Sequence, residues 1–241
     1  MKNQGRSSPK RGLLLFMAVF LMGIGGLLLF RNSLLPFLIS RGNQPYTISH
    51  QTSKQMKQNQ KKKASFNFGQ VQSVSFTALL EAQMEKQDYP VIGDISIPEL
   101  QINLPIFKGV DSRALLFGAG TLKENEEMGQ GNYALASHHI VGQGGETMLF
   151  SPLVHAQMSQ AIFITDKTQV WEYRVSRVTV VSSNDTHDMN DIPHEQLITL
   201  VTCEDLAATH RIIVQGQLVR VFPFDEKIAQ QYFSESYHQY N

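Results

Sequence analysis

The chain has 241 residues, with 21 basic and 21 acidic side chains and a single cysteine. This length accommodates one ordinary domain with appendages, the balanced charge does not indicate a nucleic-acid partner, and one cysteine excludes a disulfide within the chain. The basic residues cluster before residue 64 and the acidic residues lie almost entirely after residue 80. This split suggests a basic anchoring arm followed by a mildly acidic body.

An uncharged apolar run at residues 12–30 follows a basic N-terminus at residues 1–11. Its length is about the roughly 20 residues that a helix needs to cross a bilayer. A cleaved signal peptide would have a shorter apolar region and a small-residue cleavage site. We therefore predict a single uncleaved signal-anchor and interfacial stretch over 12–38. The positive-inside rule leaves residues 1–11 in the cytoplasm and the rest of the protein outside the cell membrane.

Residues 39–76 are rich in Gln, Lys, Ser and Asn. Such a segment buries too little apolar surface to offset the entropy lost on ordering it. The composition therefore predicts a flexible or marginally helical extracellular stalk.

The sequence pattern of residues 77–224 predicts one all-β domain. A short helix is predicted over 77–87, and helical pieces are predicted at 112–117 and 148–153. The predicted strands are at 91–97, 102–107, 132–138, 161–165, 170–181, 197–202 and 211–221. Short strands at this spacing indicate a sandwich or a closed barrel. The C-terminal tail, 225–241, contains a predicted short helix at 227–233.

Three of these strands carry the polar residues of a candidate active site. His138 and His139 follow one strand, Cys203 ends the second, and Arg211 begins the third. A thiol has a pKa of about 8.5 and needs a base or a cation to become nucleophilic at neutral pH. A histidine can transfer the proton, and an arginine, which stays charged, can stabilise an oxyanion.

Other interpretations of these residues remain open on chemistry alone. A single cysteine is often an inert core residue, although Cys203 lies at the edge of its apolar run rather than within it. Strand alternation places His138 and His139 on opposite sides, with Ala134 and Ala136 on the His138 side. His210, in the turn after Cys203, is a further candidate by proximity.

Several short segments, taken in chain order, resemble the sortase family. T-L-V-T-C at 199–203 resembles the family's T-L-x-T-C signature, and A-S-H-H at 136–139 resembles its histidine strand. Arg211 lies eight residues after Cys203, where the family carries its arginine. The segments that resemble the family's opening strands are at 92–98, 104–106 and 118–120. The resemblance runs from about residue 90 to residue 221.

The resemblance implies an eight-stranded β-barrel and a membrane-anchored cysteine transpeptidase. Cys203 would attack the Thr–Gly bond of an L-P-x-T-G sorting signal in a surface protein, and His138 would be the catalytic histidine. The amine of a lipid II-like peptidoglycan precursor would then resolve the thioacyl enzyme. One N-terminal anchor and a short turn between Cys203 and Arg211 resemble the class A, housekeeping group of streptococcal type.

The strand period also predicts a substrate groove, since residues two apart point to the same side of a strand. Ala136, Val201 and Ile213 each lie two residues from a catalytic residue and form a candidate floor for the Leu-Pro portion of the signal. The simpler interpretation of all three is ordinary barrel core. The residues expected to contact substrate are Ala136, Ser137, His139, Val201, Thr202 and Ile213. The polar loop at 184–195 is expected to wall the groove.

No cofactor or metal is expected. Some class A sortases bind calcium through acidic residues in the loop before the histidine strand. Here Glu124, Glu126 and Glu127 occur, but Lys123 and Gln130 interrupt them, and calcium prefers six to eight oxygen ligands. Two other functions fit the sequence: a cysteine peptidase that hydrolyses the same acyl-enzyme, and a non-enzymatic β-domain tethered to the membrane.

Overall fold

The computed structural model describes residues 9–67, 74, 76–84, 89–142, 144–182, 185–203 and 210–234. The helices are α1 (Pro9–Asn43), α2 (Ser53–Asn59), α3 (Phe76–Met84) and α4 (Glu226–Tyr232). The strands are β1 (Val91–Ile97), β2 (Ile102–Phe107), β3 (Ala119–Thr121), β4 (Asn132–Ala136), β5 (Ala161–Thr165), β6 (Gln169–Ser182), β7 (Leu197–Cys203) and β8 (His210–Pro223).

The eight strands close into a barrel in the order β1-β2-β3-β4-β7-β8-β6-β5. The pairs β2–β3 and β4–β7 are parallel, and the other neighbours are antiparallel. Closure leaves no free edge along the fully paired strands, which is how an all-β domain avoids unpaired backbone groups. The predicted eight-stranded barrel with short helices is confirmed.

Alternate side chains along each strand point into the barrel interior, and the side chains between them form the outer face of the sheet. In β7, Ile198 and Leu200 join the main core, whereas Thr199 and Val201 point the other way. Burying each such aliphatic side chain contributes about 1.5–3 kcal/mol, so the interior face fixes the register of every strand. The outer face is therefore free to carry polar and functional residues.

The segment 44–67, part of the predicted flexible or marginally helical stalk over 39–76, contains the short helix α2 and packs against the barrel. Met56, on α2, is only 1% exposed and belongs to the main core. The Asn59 amide donates to the carbonyl of Val91, and the amide of Val110 donates to the carbonyl of Ser65. The composition was misleading because most of the anchoring contacts are hydrogen bonds to backbone groups, which a polar segment can make without a long apolar run.

Most predicted elements are present, with shifts at their ends. The short helix after β2 is a 3-10 turn at Ala114–Leu116, and the piece predicted at 148–153 is a 3-10 helix at Ser151–His155. The strand β3 is absent from the strands predicted by alternation, but it overlaps the segment 118–120 that resembles one of the family's opening strands. The helix α3 covers the first part of the predicted 77–87 helix, whose end lies outside the described residues. The tail helix is confirmed as α4.

The N-terminal helix α1 contains the whole predicted span 12–30 and runs on to the barrel. Its end is tied to the body: Ile39 is fully buried, and a side chain at Gly42 would collide with the ring of Phe117. Among the described residues, no helix combines the length and the apolarity that crossing a membrane requires. The predicted anchor therefore stays a prediction.

Candidate active site

Three neighbouring strands bring the predicted catalytic residues to one end of the barrel. In the parallel pair β4–β7, Ala136 lies opposite Val201, and the amide of Ser137 donates to the Val201 carbonyl over 3.2 Å. His138 and Cys203 each lie two residues farther along. Cys203 in turn lies opposite Arg211 in the antiparallel pair β7–β8. The register thus aligns Cys203 with Arg211, and His138, which follows the last residue of β4, completes a row at this end of the barrel.

Hydrogen bonds fix the chain at His138 and at the residues that precede and follow it. The hydroxyl of Ser137 donates to the Gly118 carbonyl over 2.7 Å, and the carbonyl of His138 accepts from the amide of Phe150 over 3.0 Å. Two residues on, the amide of Ile140 donates to the hydroxyl of Ser151 over 2.8 Å. These bonds hold His138 in place although β4 ends at Ala136.

The imidazole of His138 is buried, with 8% of the residue exposed. Its Nε2 has no hydrogen-bond partner within the part of the chain that the structure describes. Burial lowers the pKa of His138 to about 4, because the charged form loses its hydration. The ring is therefore neutral at pH 7, and a neutral imidazole can accept a proton from a thiol.

The other two members of the row differ in how far their side chains are described. Of Cys203 the structure describes the backbone, and its side chain lies outside the described part. Arg211 is partly exposed, and one of its guanidinium nitrogens, Nη1, donates to the His210 carbonyl over 3.2 Å. A guanidinium stays protonated, so this end of β8 carries a fixed positive charge beside the end of β7.

A small apolar cluster lies on the outer face of the same three strands. It consists of Ala136, Val201 and Ile213, which are at most 3% exposed. The residues that pack over it are Leu122, Val181 and Met189. The predicted floor residues thus form one surface, but it is covered in this structure.

The remaining predicted substrate contacts lie elsewhere. Ser137 and Thr202 are buried and share strand parity with Leu135 and Leu200, which belong to the barrel core. His139 is partly exposed in the segment that follows β4. The structure therefore groups three of the six predicted contact residues on the outer face and directs Ser137 and Thr202 inward.

On the same outer face as the apolar cluster, a polar network holds the loop that precedes β7. The Thr199 hydroxyl donates to Asn132 Oδ1 over 2.7 Å, and Gln215 Nε2 donates to the Thr199 hydroxyl over 3.2 Å. Asn132 Nδ2 also donates to the carbonyl of Asp188 over 2.8 Å. The carboxylate of Asp188 forms an ion pair with Arg177 of β6. The described part of this loop, 185–196, is thereby held against the sheet that carries the catalytic row.

A lysine joins the same loop to the loop before β4. Lys123 Nζ lies 2.7 Å from Asp191 Oδ1 and 2.6 Å from the carbonyl of Asn132. The hydrogen bond from Lys123, with another from the amide of Asn132, lowers the pKa of Asp191. The two loops that flank the apolar cluster are therefore cross-linked by a salt bridge.

The residues in this loop do not fit a calcium ion. The ammonium of Lys123 already contacts Asp191, so a cation occupies the position next to that carboxylate. The oxygens of Glu126 accept from the amides of Leu122, Lys123 and Ala134. Burial raises the pKa of Glu126 to about 7 despite these donors. Calcium prefers six to eight oxygen ligands, and no cluster of three or more acidic, histidine or cysteine side chains among the described residues is arranged to hold a metal ion.

Sequence reasoning missed the roles of Lys123, Asp191 and Asn132. Lys123 had appeared only as an interruption of an acidic cluster, and Asp191 only as part of a polar loop. A lysine among acidic residues is a signal for an internal salt bridge, but its partner lies 68 residues away in the chain. The pairing of Lys123 with Asp191 depends on β4 and β7 being neighbours, which the sequence does not show.

Comparison with known proteins gives a consistent result. Residues 95–219 match a family model described as the sortase domain. The chain is similar to Sortase A of Streptococcus agalactiae, with 41% identity over 230 residues and 93% of both chains covered. It is also similar to Sortase A of Listeria monocytogenes, with 32% identity over 222 residues, or 90% of this chain and 96% of that one. A solved structure of Listeria monocytogenes sortase A, 31% identical, matches with a TM-score of 0.57 over 60% of this chain and 98% of that one.

Proposed function

This chain is a class A member of the sortase family, and we propose that it attaches L-P-x-T-G-bearing surface proteins to the cell wall. Sortases are cysteine transpeptidases that anchor surface proteins. In the proposed reaction, Cys203 cleaves the sorting signal between Thr and Gly. The protein is then transferred to the amine of a peptidoglycan precursor.

The alignment of three strand ends is the observation that carries this assignment. The β4–β7 register brings the segment just after β4, which contains His138, next to the end of β7, and the β7–β8 register pairs Cys203 with Arg211. A nucleophile, a proton carrier and a fixed cation in one row are the groups that acyl transfer requires.

The first half of the reaction forms the thioacyl enzyme. The neutral imidazole of His138 takes the thiol proton as the sulfur of Cys203 bonds to the threonine carbonyl carbon. Negative charge develops on the carbonyl oxygen, and the guanidinium of Arg211 stabilises it by donating hydrogen bonds. Collapse of this intermediate breaks the C–N bond. The imidazolium returns its proton to the leaving glycine amine.

The second half reverses the roles of the same residues. The incoming amine attacks the thioester carbonyl and gives up a proton to His138. Arg211 again stabilises the oxyanion, and the sulfur of Cys203 leaves. The imidazolium then reprotonates the thiolate, so the enzyme ends in its starting state with a new amide bond formed.

The covered apolar cluster refines the proposal for the substrate groove. Because Ala136, Val201 and Ile213 are buried, the Leu-Pro portion of the signal would first contact the residues above them. Leu122, Val181 and Met189 are partly buried and occupy that position. Met189 lies in the loop held by Lys123, so movement of this loop would uncover the floor for the substrate.

Membrane anchoring is the second part of the proposal. The large apolar side chains of α1 are exposed along much of its described length, for example Leu14 at 66% and Phe20 at 59%. An exposed apolar surface of this extent on one helix needs a nonpolar environment to cover it. The basic residues before the helix favour an orientation with the N-terminus in the cytoplasm.

Mass spectrometry of the full chain in detergent, incubated with an L-P-x-T-G peptide, tests the chemistry. The expected result is an acyl adduct on Cys203 and, after addition of an amine acceptor, a ligated product. Cys203→Ala should give neither. Cleavage of the peptide by Cys203→Ala at the wild-type rate would overturn the proposal. Release of free acid in the presence of saturating amine would identify a hydrolytic peptidase instead.

A pair of histidine variants tests the proton carrier. His138→Gln should lower kcat by about 100-fold or more, because positioned proton transfer contributes about 10²–10⁴-fold. His139→Gln is the matched control and should retain kcat within a factor of about three. The reverse pattern would transfer the role to His139.

A further inference from the structure

A cavity lies on the opposite side of the barrel from the row formed by His138, Cys203 and Arg211. It has a volume of about 400 Å³ and lies between the N-terminal segment, β1, β2 and the C-terminal helix α4. In the barrel order, β1 is four strands from β7 in either direction. The cavity is therefore separate from the groove that the transpeptidase reaction uses.

The floor of this cavity contains a buried carboxylate. Asp94 of β1 lines the cavity and is 2% exposed. Its Oδ1 has no hydrogen-bond partner among the described residues. Burial raises the pKa of Asp94 well above its usual range. A buried carboxyl oxygen without a hydrogen-bond donor costs free energy. A ligand that donates a hydrogen bond to Asp94 removes this cost, which favours its binding.

The nearby lysine does not satisfy this carboxylate. Lys167 Nζ donates to the backbone carbonyls of Ile48 over 2.9 Å and Gln51 over 2.8 Å. Its charge attracts Asp94 and lowers the pKa of that carboxyl, but this effect is smaller than the effect of burial. Because Lys167 is bonded to the N-terminal segment, Oδ1 of Asp94 remains available to a donor in the cavity.

The other lining residues define what surrounds that donor. Glu226 adds a second carboxyl group, so the titratable groups of the lining are two carboxyls and one ammonium. An ammonium ligand favours the ionised form of Asp94, because a nearby positive charge offsets the rise in pKa that burial causes. The remaining wall is largely apolar, with Ile48, Phe224 and Phe233 as its larger members. Aromatic rings add attraction for a cation that lies over their faces.

We propose that this cavity binds a small primary amine with an apolar body. The ammonium group donates to Asp94, and the apolar body packs against the aromatic wall. The proposal is independent of the transpeptidase reaction, since it uses none of the residues in the catalytic row.

A matched pair of probes tests this site on the full chain in detergent. The probes are 2-phenylethylamine and its neutral isostere 2-phenylethanol, titrated separately and observed by NMR. We expect the amine to bind at least tenfold more tightly than the alcohol. Asp94→Asn should remove that preference, whereas Asp185→Asn, at an exposed position in the loop before β7, should keep it.

Equal binding of the two probes by the wild type would overturn the proposal, as would an unchanged preference in Asp94→Asn. Thermal unfolding of each variant shows whether it is folded. If Asp94→Asn is unfolded, Ala229→Phe decides the question, because a ring at Ala229 on α4 would fill the cavity. We expect at least tenfold weaker binding of the amine by this variant. Undiminished binding would show that the amine sits elsewhere.

Discussion

The two outer faces of the barrel differ in whether their buried polar groups have hydrogen-bond partners. On the front face, which is the outer side of β4, β7 and β8, Asn132, Thr199 and Gln215 bond to one another and to a neighbouring loop. On the back face, the outer side of β1, β2 and β5, Asp94 and Ser96 are buried. In the described part of the chain, Asp94 Oδ1 and Ser96 Oγ lack hydrogen-bond partners.

This difference suggests separate roles for the two faces, one in turnover and the other in stability. The front face uses satisfied polar groups to fix strands and loops around His138, whose Nε2 has no hydrogen-bond partner among the described residues. The back face is covered by added segments, with α2 packed on β1 and α4 near Asp94. We therefore expect front-face substitutions to change turnover and back-face substitutions to change stability.

The largest effect is expected for Arg211→Lys on the front face. Loss of the planar fork should lower kcat by about 10²–10³-fold, or about 3–4 kcal/mol in transition-state stabilisation. Arg220→Lys is the matched control on the same strand and should keep kcat within a factor of about two. The measurement is steady-state transpeptidation. A Arg211→Lys enzyme with wild-type turnover would show that the front face does not use this cation.

The next effect is a pH dependence of stability caused by His138. Burial lowers its folded pKa to about 4, below the ordinary histidine value of 6.5. Between these values the unfolded chain binds a proton that the native state does not, so stability is present above 6.5 and lost as pH falls to about 4. The loss should total about 3 kcal/mol.

Urea unfolding from pH 7 to pH 4 measures this loss, with His138→Gln as the reference. The wild type should lose about 3 kcal/mol more than the variant over this range. A wild-type profile parallel to that of the variant would mean that the pKa of His138 is the same in the native and unfolded states, and would contradict this prediction.

A smaller effect is expected for Met56→Ala on the back face. Removing this buried side chain should lower the free energy of unfolding by about 2 kcal/mol, since α2 can shift partly into the space. Turnover per folded molecule should stay unchanged. Lys54→Ala, at an exposed position on the same helix, is the control. If Met56→Ala reduced turnover and left stability intact, the division between the faces would be wrong.

The smallest effect is expected for Lys123→Met. The pair of Lys123 and Asp191 is partly exposed, and such ion pairs contribute about 0.2–1 kcal/mol. Loosening the loop should raise KM for the peptide by up to about fivefold and leave kcat nearly unchanged. Lys61→Met, in the exposed part of the N-terminal segment, is the control. A fall in kcat with constant KM would place Lys123 in the chemical step.

The sequence predicted most of the fold because alternating apolar residues specify strands directly. Alternation did not predict β3, because Ala119–Thr121 is three residues long and contains a glycine, and only the resemblance at 118–120 indicated a strand there. The composition also misjudged residues 44–67. That segment has few buried apolar side chains, and its contacts are made by groups such as the Asn59 amide and the carbonyl of Ile48. Hydropathy does not register such bonds.

For the site, strand parity was sufficient to predict that Ala136, Val201 and Ile213 share a face. Parity could not show that Leu122 and Met189 cover that face, because both belong to loops. The cross-link from Lys123 to Asp191 was unpredictable for the same reason. Loop positions depend on tertiary contacts, whereas the face of a strand residue is set by its own backbone.

The parallel pairing of β4 with β7 also has a consequence for the order of events in folding. His138 and Cys203 are 65 residues apart in sequence, by subtraction of their numbers, and β5 and β6 lie between them. Contacts of such long sequence separation form late, because closing a long loop costs entropy before any bond repays it. The two proposed catalytic residues therefore come together only when the barrel closes. Before that, Cys203 in a nascent chain is a free thiol, whose ordinary pKa is about 8.5, and it lies far from its proposed base.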